Sequence, residues 1–111
     1  MEIEFHRQDN ATVLRIHGRL DANAAPDLDK QLSAIIHSEQ TGIVLDFSPT
    51  AYVSSAGLRV LLAAAKQMKN ARRPLLFCGI NAGVMEVWKP PDCIGYWRST
   101  STLEQALAAL P

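Results

Sequence analysis

With 111 residues, 48% hydrophobic and 20% charged, the chain has the size and composition of one soluble globular domain and is too apolar for a disordered segment. Its 11 acidic residues balance its 11 basic ones, so no overall field draws it to nucleic acid or an anionic membrane. No run approaches the ~18 apolar residues of a membrane span, and Met1-Glu2-Ile3-Glu4 lacks the basic start of a leader, so a cytoplasmic protein without membrane insertion is expected.

Ile3 and Phe5, then Val13, Leu14 and Ile16, fall in two β-prone runs separated by the turn-forming Gln8-Asp9-Asn10-Ala11, which predicts an antiparallel hairpin. Gly18-Arg19-Leu20-Asp21 ends the second strand. Asn23 is placed to cap a helix whose first turn accepts Pro26 and favours Asp27. Leu28, Leu32, Ile35 and Ile36 then line one helical face.

Thr41-Gly42 breaks that helix, and Ile43-Val44-Leu45-Asp46-Phe47 reads as a central strand covered on both faces. Ser48-Pro49-Thr50 is expected to turn the chain outward. Leu58, Leu61, Leu62, Ala65 and Met68 mark a second amphipathic helix to about Asn70, with Arg59, Lys66, Lys69 and Arg72 off its apolar stripe. With Arg73 these cations form either a docking patch or a solvated helix face.

Leu75-Leu76-Phe77-Cys78, closed by Gly79, is expected to be a strand parallel to the third across the intervening helix. A short helix from Asn81 through Val84, Val87 and Trp88, stopped by Pro90-Pro91, and a strand from Ile94 to Trp97 follow. Ser101 and Glu104 have capping-box spacing ahead of a terminal helix along Leu103, Ala106, Leu107 and Leu110. The fold expected over residues 1–111 is a single α/β domain, a mixed sheet packed against about four helices.

Cys78 and Cys93 lack CxxC spacing and a nearby His pair, so free buried thiols are expected and no metal or cofactor is implied. Ser54 and Ser55 precede a helix, but GxSxG spacing is absent and His6, His17 and His37 are scattered, which argues against a hydrolytic enzyme. Trp88 and Trp97 are expected in the core. One serine can cap the helix through its hydroxyl, leaving the other exposed beside small Ala56 and Gly57. A phosphate there would face helix N–H groups and the positive end of the dipole.

Gly18-Arg19-Leu20-Asp21, the run Ile43 to Phe47, the turn Tyr52-Val53-Ser54-Ser55-Ala56-Gly57-Leu58 and the terminal Glu104-Gln105-Ala106-Leu107 together resemble the STAS domain, a family shared by sulfate transporters and bacterial anti-sigma factor antagonists. The resemblance implies a non-enzymatic partner switch without a cofactor. In the antagonist branch the unmodified domain binds an anti-sigma factor that is also a serine kinase, and a PP2C-type phosphatase resets the phosphorylated form. Counting back from Gly57 puts the phosphoacceptor at Ser55, with Asp21, Ser54, Ser55, Ala56, Gly57, Leu58 and Arg59 as the implied partner-binding residues. Ser54 stands where the family commonly has an acid. That departure favours, as an alternative, a non-phosphorylated STAS subunit of a lipid-transport ABC system.

Overall fold

The structure, a computed structural model, describes residues 1–39, 41–80, 98–100 and 102–109. It begins with the expected hairpin: β1 (Glu2–Gln8) pairs antiparallel with β2 (Ala11–Leu20), with Gln8 opposite Ala11. Asp9 and Asn10 both take positive φ, 52° and 64°, the two-residue turn whose twist matches that of the flanking strands. Asp and Asn tolerate this conformation better than other non-glycine residues.

Helix α1 (Ala25–Ser38) carries Pro26 in its first turn, but Asn23 is not its cap. Ala24 is the N-cap, and its N–H donates to Asp21 Oδ1 at 3.0 Å. The donor within reach of an Asn23 cap, the N–H of Ala25, is taken instead by the backbone carbonyl of Asp21 at 3.0 Å.

β3 (Gly42–Asp46) runs parallel to β2 on one side and to β5 (Leu75–Cys78) on the other, so the expected β-α-β unit and the two-faced central strand are both present. Ile43 and Leu45 enter the main core with Leu28, Leu32 and Ile36 of α1. The same core takes Leu58, Leu61, Ala65 and Met68 from α2 (Ser55–Asn70). Val44 points the other way, into a smaller cluster with Val13, Leu76, Cys78 and Ala106. Phe47 and Phe77 pack tilted in the main core, ring centroids 5.5 Å apart.

One strand escapes the sequence reading. After the turn at Ser48-Pro49 the chain forms β4 (Thr50–Val53), which pairs parallel with the far end of β2, Gly18 opposite Thr50 and Leu20 opposite Val53. The turn is held by Asp46, whose Oδ1 accepts from the N–H of Ser48 at 2.9 Å and its hydroxyl at 2.6 Å. Thr50 Oγ1 donates to Ile16 O at 2.5 Å, and Gly18, at φ 89°, lies where the β2–β4 register shifts. Four residues, buried only at the two ends, carry too little alternation to announce a strand.

The sheet order is β1-β2-β3-β5-β6, with β4 on β2 and β6 (Arg98–Thr100) parallel to β5. Helix α3 (Leu103–Ala109) covers the smaller cluster. Its capping box is one residue later than expected: Thr102 Oγ1 accepts from Gln105 N at 3.1 Å, and Gln105 Oε1 accepts from Thr102 N at 3.3 Å. The helix begins at Leu103, which makes Thr102 the residue positioned to cap it. The architecture is thus α/β with a mixed sheet and, among the described residues, three helices. The expected helix from Asn81 to Trp88, the strand from Ile94 to Trp97, and Cys93 lie outside the described residues. Among those residues no helix is long and apolar enough to cross a membrane.

Arg73 does not belong to a docking patch. Its guanidinium reaches back to the end of α1, donating to Ile36 O at 2.8 Å, to Thr41 O at 2.9 Å and to Glu39 O. It thereby supplies donors to one carbonyl of the last helical turn, Ile36 O, and to two in the segment that follows the helix. Removing these charged donors in Arg73→Met should lower stability by about 2–3 kcal/mol, read as a lower urea midpoint at unchanged slope. Arg73→Lys should recover only part, since an ammonium cannot fork across three acceptors.

Burial pushes the Cys78 thiol from 9.0 up to about 12, aided by the negative charge of Asp46. Folded protein therefore keeps this thiol protonated where the unfolded chain loses its proton. The resulting stability contribution should be constant below about pH 9 and fall as pH rises from there toward 12. At pH 8.5 a thiol reagent followed by peptide mapping should modify Cys78 only after denaturant is added.

Candidate functional site at the start of the second helix

The site is the junction where β4 ends and α2 begins. Ser54 is the N-cap in extended conformation, and its Oγ accepts from the N–H of Gly57 at 3.1 Å. Its own N–H donates to Leu20 O at 2.8 Å, which ties the helix start to the end of β2. Ser54 is thus occupied on both sides by structural bonds.

Gly57 is where the helix touches β2. A Cβ added there would sit 2.8 Å from the backbone carbonyl oxygen of Leu20, closer than real Cβ atoms come, and a tight 3.2 Å from Leu20 Cβ. Leu58 follows into the main core, 7% exposed. Gly57 and Leu58 therefore support the turn from beneath, and Ala56 is half-buried between them and the surface.

Ser55, the first residue of the helix, is exposed, as is Arg59 one turn further along. Among the described residues neither the Ser55 hydroxyl nor the N–H groups of Ser55 and Ala56 have a hydrogen-bond partner. The helix has no acid in its first turn, so the positive end of its dipole is unopposed by its own side chains. An anion on Ser55 would meet two open donors and this dipole.

Asp21 is brought close to the junction by the pairing of Leu20 with Val53, with its carboxylate engaged at the start of α1. The same register stacks Arg19 on Tyr52, guanidinium carbon 4.4 Å from the ring centre, with Tyr52 40% exposed. This pair was not legible in the sequence, because it depends on the register of a strand that the pattern did not reveal.

Neither serine is paired with an imidazole. His6 Nε2 contacts Gln8 Oε1 at 3.1 Å, His17 Nε2 contacts Glu4 Oε1 at 2.5 Å, and His37 Nδ1 contacts Ser33 O at 2.8 Å. Among the described residues no group of His, Cys, Asp and Glu is placed to hold a metal ion.

A substitution series separates these roles. Gly57→Ala should be the most harmful, by about 1–3 kcal/mol, because its methyl collides with backbone. Ser54→Ala should cost about 1 kcal/mol through the lost cap, and Ser55→Ala should stay within about 0.5 kcal/mol of wild type. Thermal and urea unfolding of the three variants checks the ranking.

The family model of the STAS domain matches residues 2–90. A protein of Bordetella bronchiseptica, provisionally named anti-sigma factor antagonist BtrV, is 28% identical over 109 residues, covering 98% of this chain and 94% of the relative. An anti-sigma factor antagonist from Mycobacterium paratuberculosis has the same fold, with a TM-score of 0.87 at 19% identity over 98% of this chain and 92% of that one. The phosphorylated form of the Bacillus cell fate determinant SpoIIAA superposes with a TM-score of 0.73 at 17% identity, covering 96% of this chain and 97% of that one.

Proposed function

The chain belongs to the STAS-domain family, and from that premise we propose that it is an anti-sigma factor antagonist, switched between partners by phosphorylation of Ser55. The carrying observation is the division of labour at the junction: Ser54 holds the helix start, and Ser55 presents a hydroxyl the fold does not use. The similarity to BtrV and to a fold known in a phosphorylated form supports the same reading.

In this reading residues 1–111 form one cytoplasmic STAS domain, without enzymatic activity of its own. The unmodified domain binds an anti-sigma factor that is also a serine kinase. Ser55, Ala56 and Arg59 contribute to the docking face, Asp21 borders it, and Ser54, Gly57 and Leu58 set its shape. The kinase transfers the γ-phosphoryl group of ATP: a P–O bond forms to Ser55 Oγ, the bond to the β,γ-bridging oxygen breaks, ADP leaves, and a base of the kinase takes the hydroxyl proton. The added charge of about −1.5 to −2 then opposes a surface that fitted a plain serine. A PP2C-type phosphatase restores it by hydrolysis.

Ser54 in place of the family's acid leaves the cap intact, since its hydroxyl accepts the Gly57 N–H as a carboxylate would. The same departure favours the second reading, a non-phosphorylated STAS subunit of a lipid-transport ABC system. Stable copurification with a transport ATPase, and no phosphate incorporation by a cognate kinase, would decide for that subunit.

Mass spectrometry after incubation with the cognate kinase and ATP should find one phosphate, on Ser55. Ser55→Asp should weaken kinase binding at least about tenfold, a difference of ~1.4 kcal/mol, with its unfolding midpoint near wild type. A large loss of stability in Ser55→Asp would assign the serine a structural role instead.

A further inference from the structure

Helix α2 contains no acidic residue; its charges are Arg59, Lys66 and Lys69. Arg59 lies four residues after Ser55, so both project from the same face of the helix, and both are exposed. Side chains on a helix lean toward its N-terminus, which carries the Arg59 guanidinium back over the first turn rather than away from it. The order is also the favourable one, with an anion at position i and a cation at i+4. Among the described residues Arg59 has no ion-pair partner, and the nearby Asp21 carboxylate is engaged by the Ala24 N–H.

Resting on the reading of Ser55 as a phosphoacceptor, we propose that Arg59 is the intramolecular counter-ion of the modified serine. The phosphate on Ser55 and the Arg59 guanidinium pair across the first turn of α2, with the fork of the guanidinium matching two phosphate oxygens. Modification then has two effects on the docking face. It adds an anion at Ser55, and it occupies a cation that the partner meets unneutralised only in the unmodified state. The partner surface facing Arg59 is accordingly acidic.

The test needs no kinase. Phosphoserine is installed at position 55 by genetic encoding, and the second ionisation of the phosphate is followed by phosphorus NMR. A neighbouring cation favours the dianion, so Arg59→Gln should raise this pKa by about half a unit toward the value near 6 of an unpaired phosphoserine. Arg59→Lys should fall between the two. Arg72→Gln, which removes one charge beyond the other end of the helix, should titrate like wild type, and 1 M salt should shrink the Arg59 effect. The proposal is overturned if Arg59→Gln titrates with wild type, or if Arg72→Gln shifts the phosphate equally. A kinase that leaves Ser55 unmodified would remove the switching role and leave this titration unaffected, so the two readings fail separately.

Discussion

The constraint on which the structure depends is that β2 is longer than the strand beside it. β2 spans ten residues and β3 five, so the carbonyls of its last residues would lack a ladder if the sheet ended with β3. β4 supplies the missing partner, and where the register shifts the Thr50 hydroxyl takes the carbonyl of Ile16. The last bond of this arrangement runs from Ser54 N to Leu20 O. It places the first residue of α2 at the rim of the sheet, and Gly57 allows the helix to lie against that same carbonyl. The exposed serine is where it is because β2 needed covering.

A buried carboxylate makes the change of partner possible. Asp46 is 4% exposed at the end of β3, where its Oδ2 lies 3.2 Å from Arg15 Nε on β2 while its Oδ1 gathers Ser48. Gly79 must be glycine beside it, since its φ is 70° and a Cβ would stand 2.4 Å from the Ser48 hydroxyl. An isolated buried charge would cost far more than it returns, but one with this many partners fixes a turn. The acid in the apolar run of the third strand is therefore structural: it sends the chain from β3 across to β4.

This architecture separates the groups that hold the helix start from those it leaves exposed. The bonds that hold the helix start belong to Ser54, Gly57 and Leu20, and the groups left over belong to Ser55, Ala56 and Arg59. A charge can be added to the second set without breaking a bond of the first. The main core lies beneath it, with Leu58 and Leu61 anchoring the same helix in a cluster that spans α1 and the strands β2, β3, β4 and β5. Each such buried side chain contributes about 1.5–3 kcal/mol, well above the worth of any surface ion pair at the helix start.

The sequence by itself determined everything that local spacing encodes: the Asp9-Asn10 hairpin, the apolar stripes of α1 and α2, the two-faced central strand, and a serine cap beside a second, exposed serine. These features depend on residues two to four apart, whose geometry is the same in any fold. Capping near other candidates was less legible. Asp21 preempted Asn23, and Thr102 took the place expected for Ser101, because where each helix begins decides which of several suitable side chains can reach its free donors. Only the tertiary structure decided the existence of β4, the Arg19–Tyr52 stack and the role of Arg73, whose guanidinium bridges 32 to 37 residues to the end of α1. Contacts between segments so far apart leave no periodic trace in the chain, since they are selected by register and burial after the elements have formed.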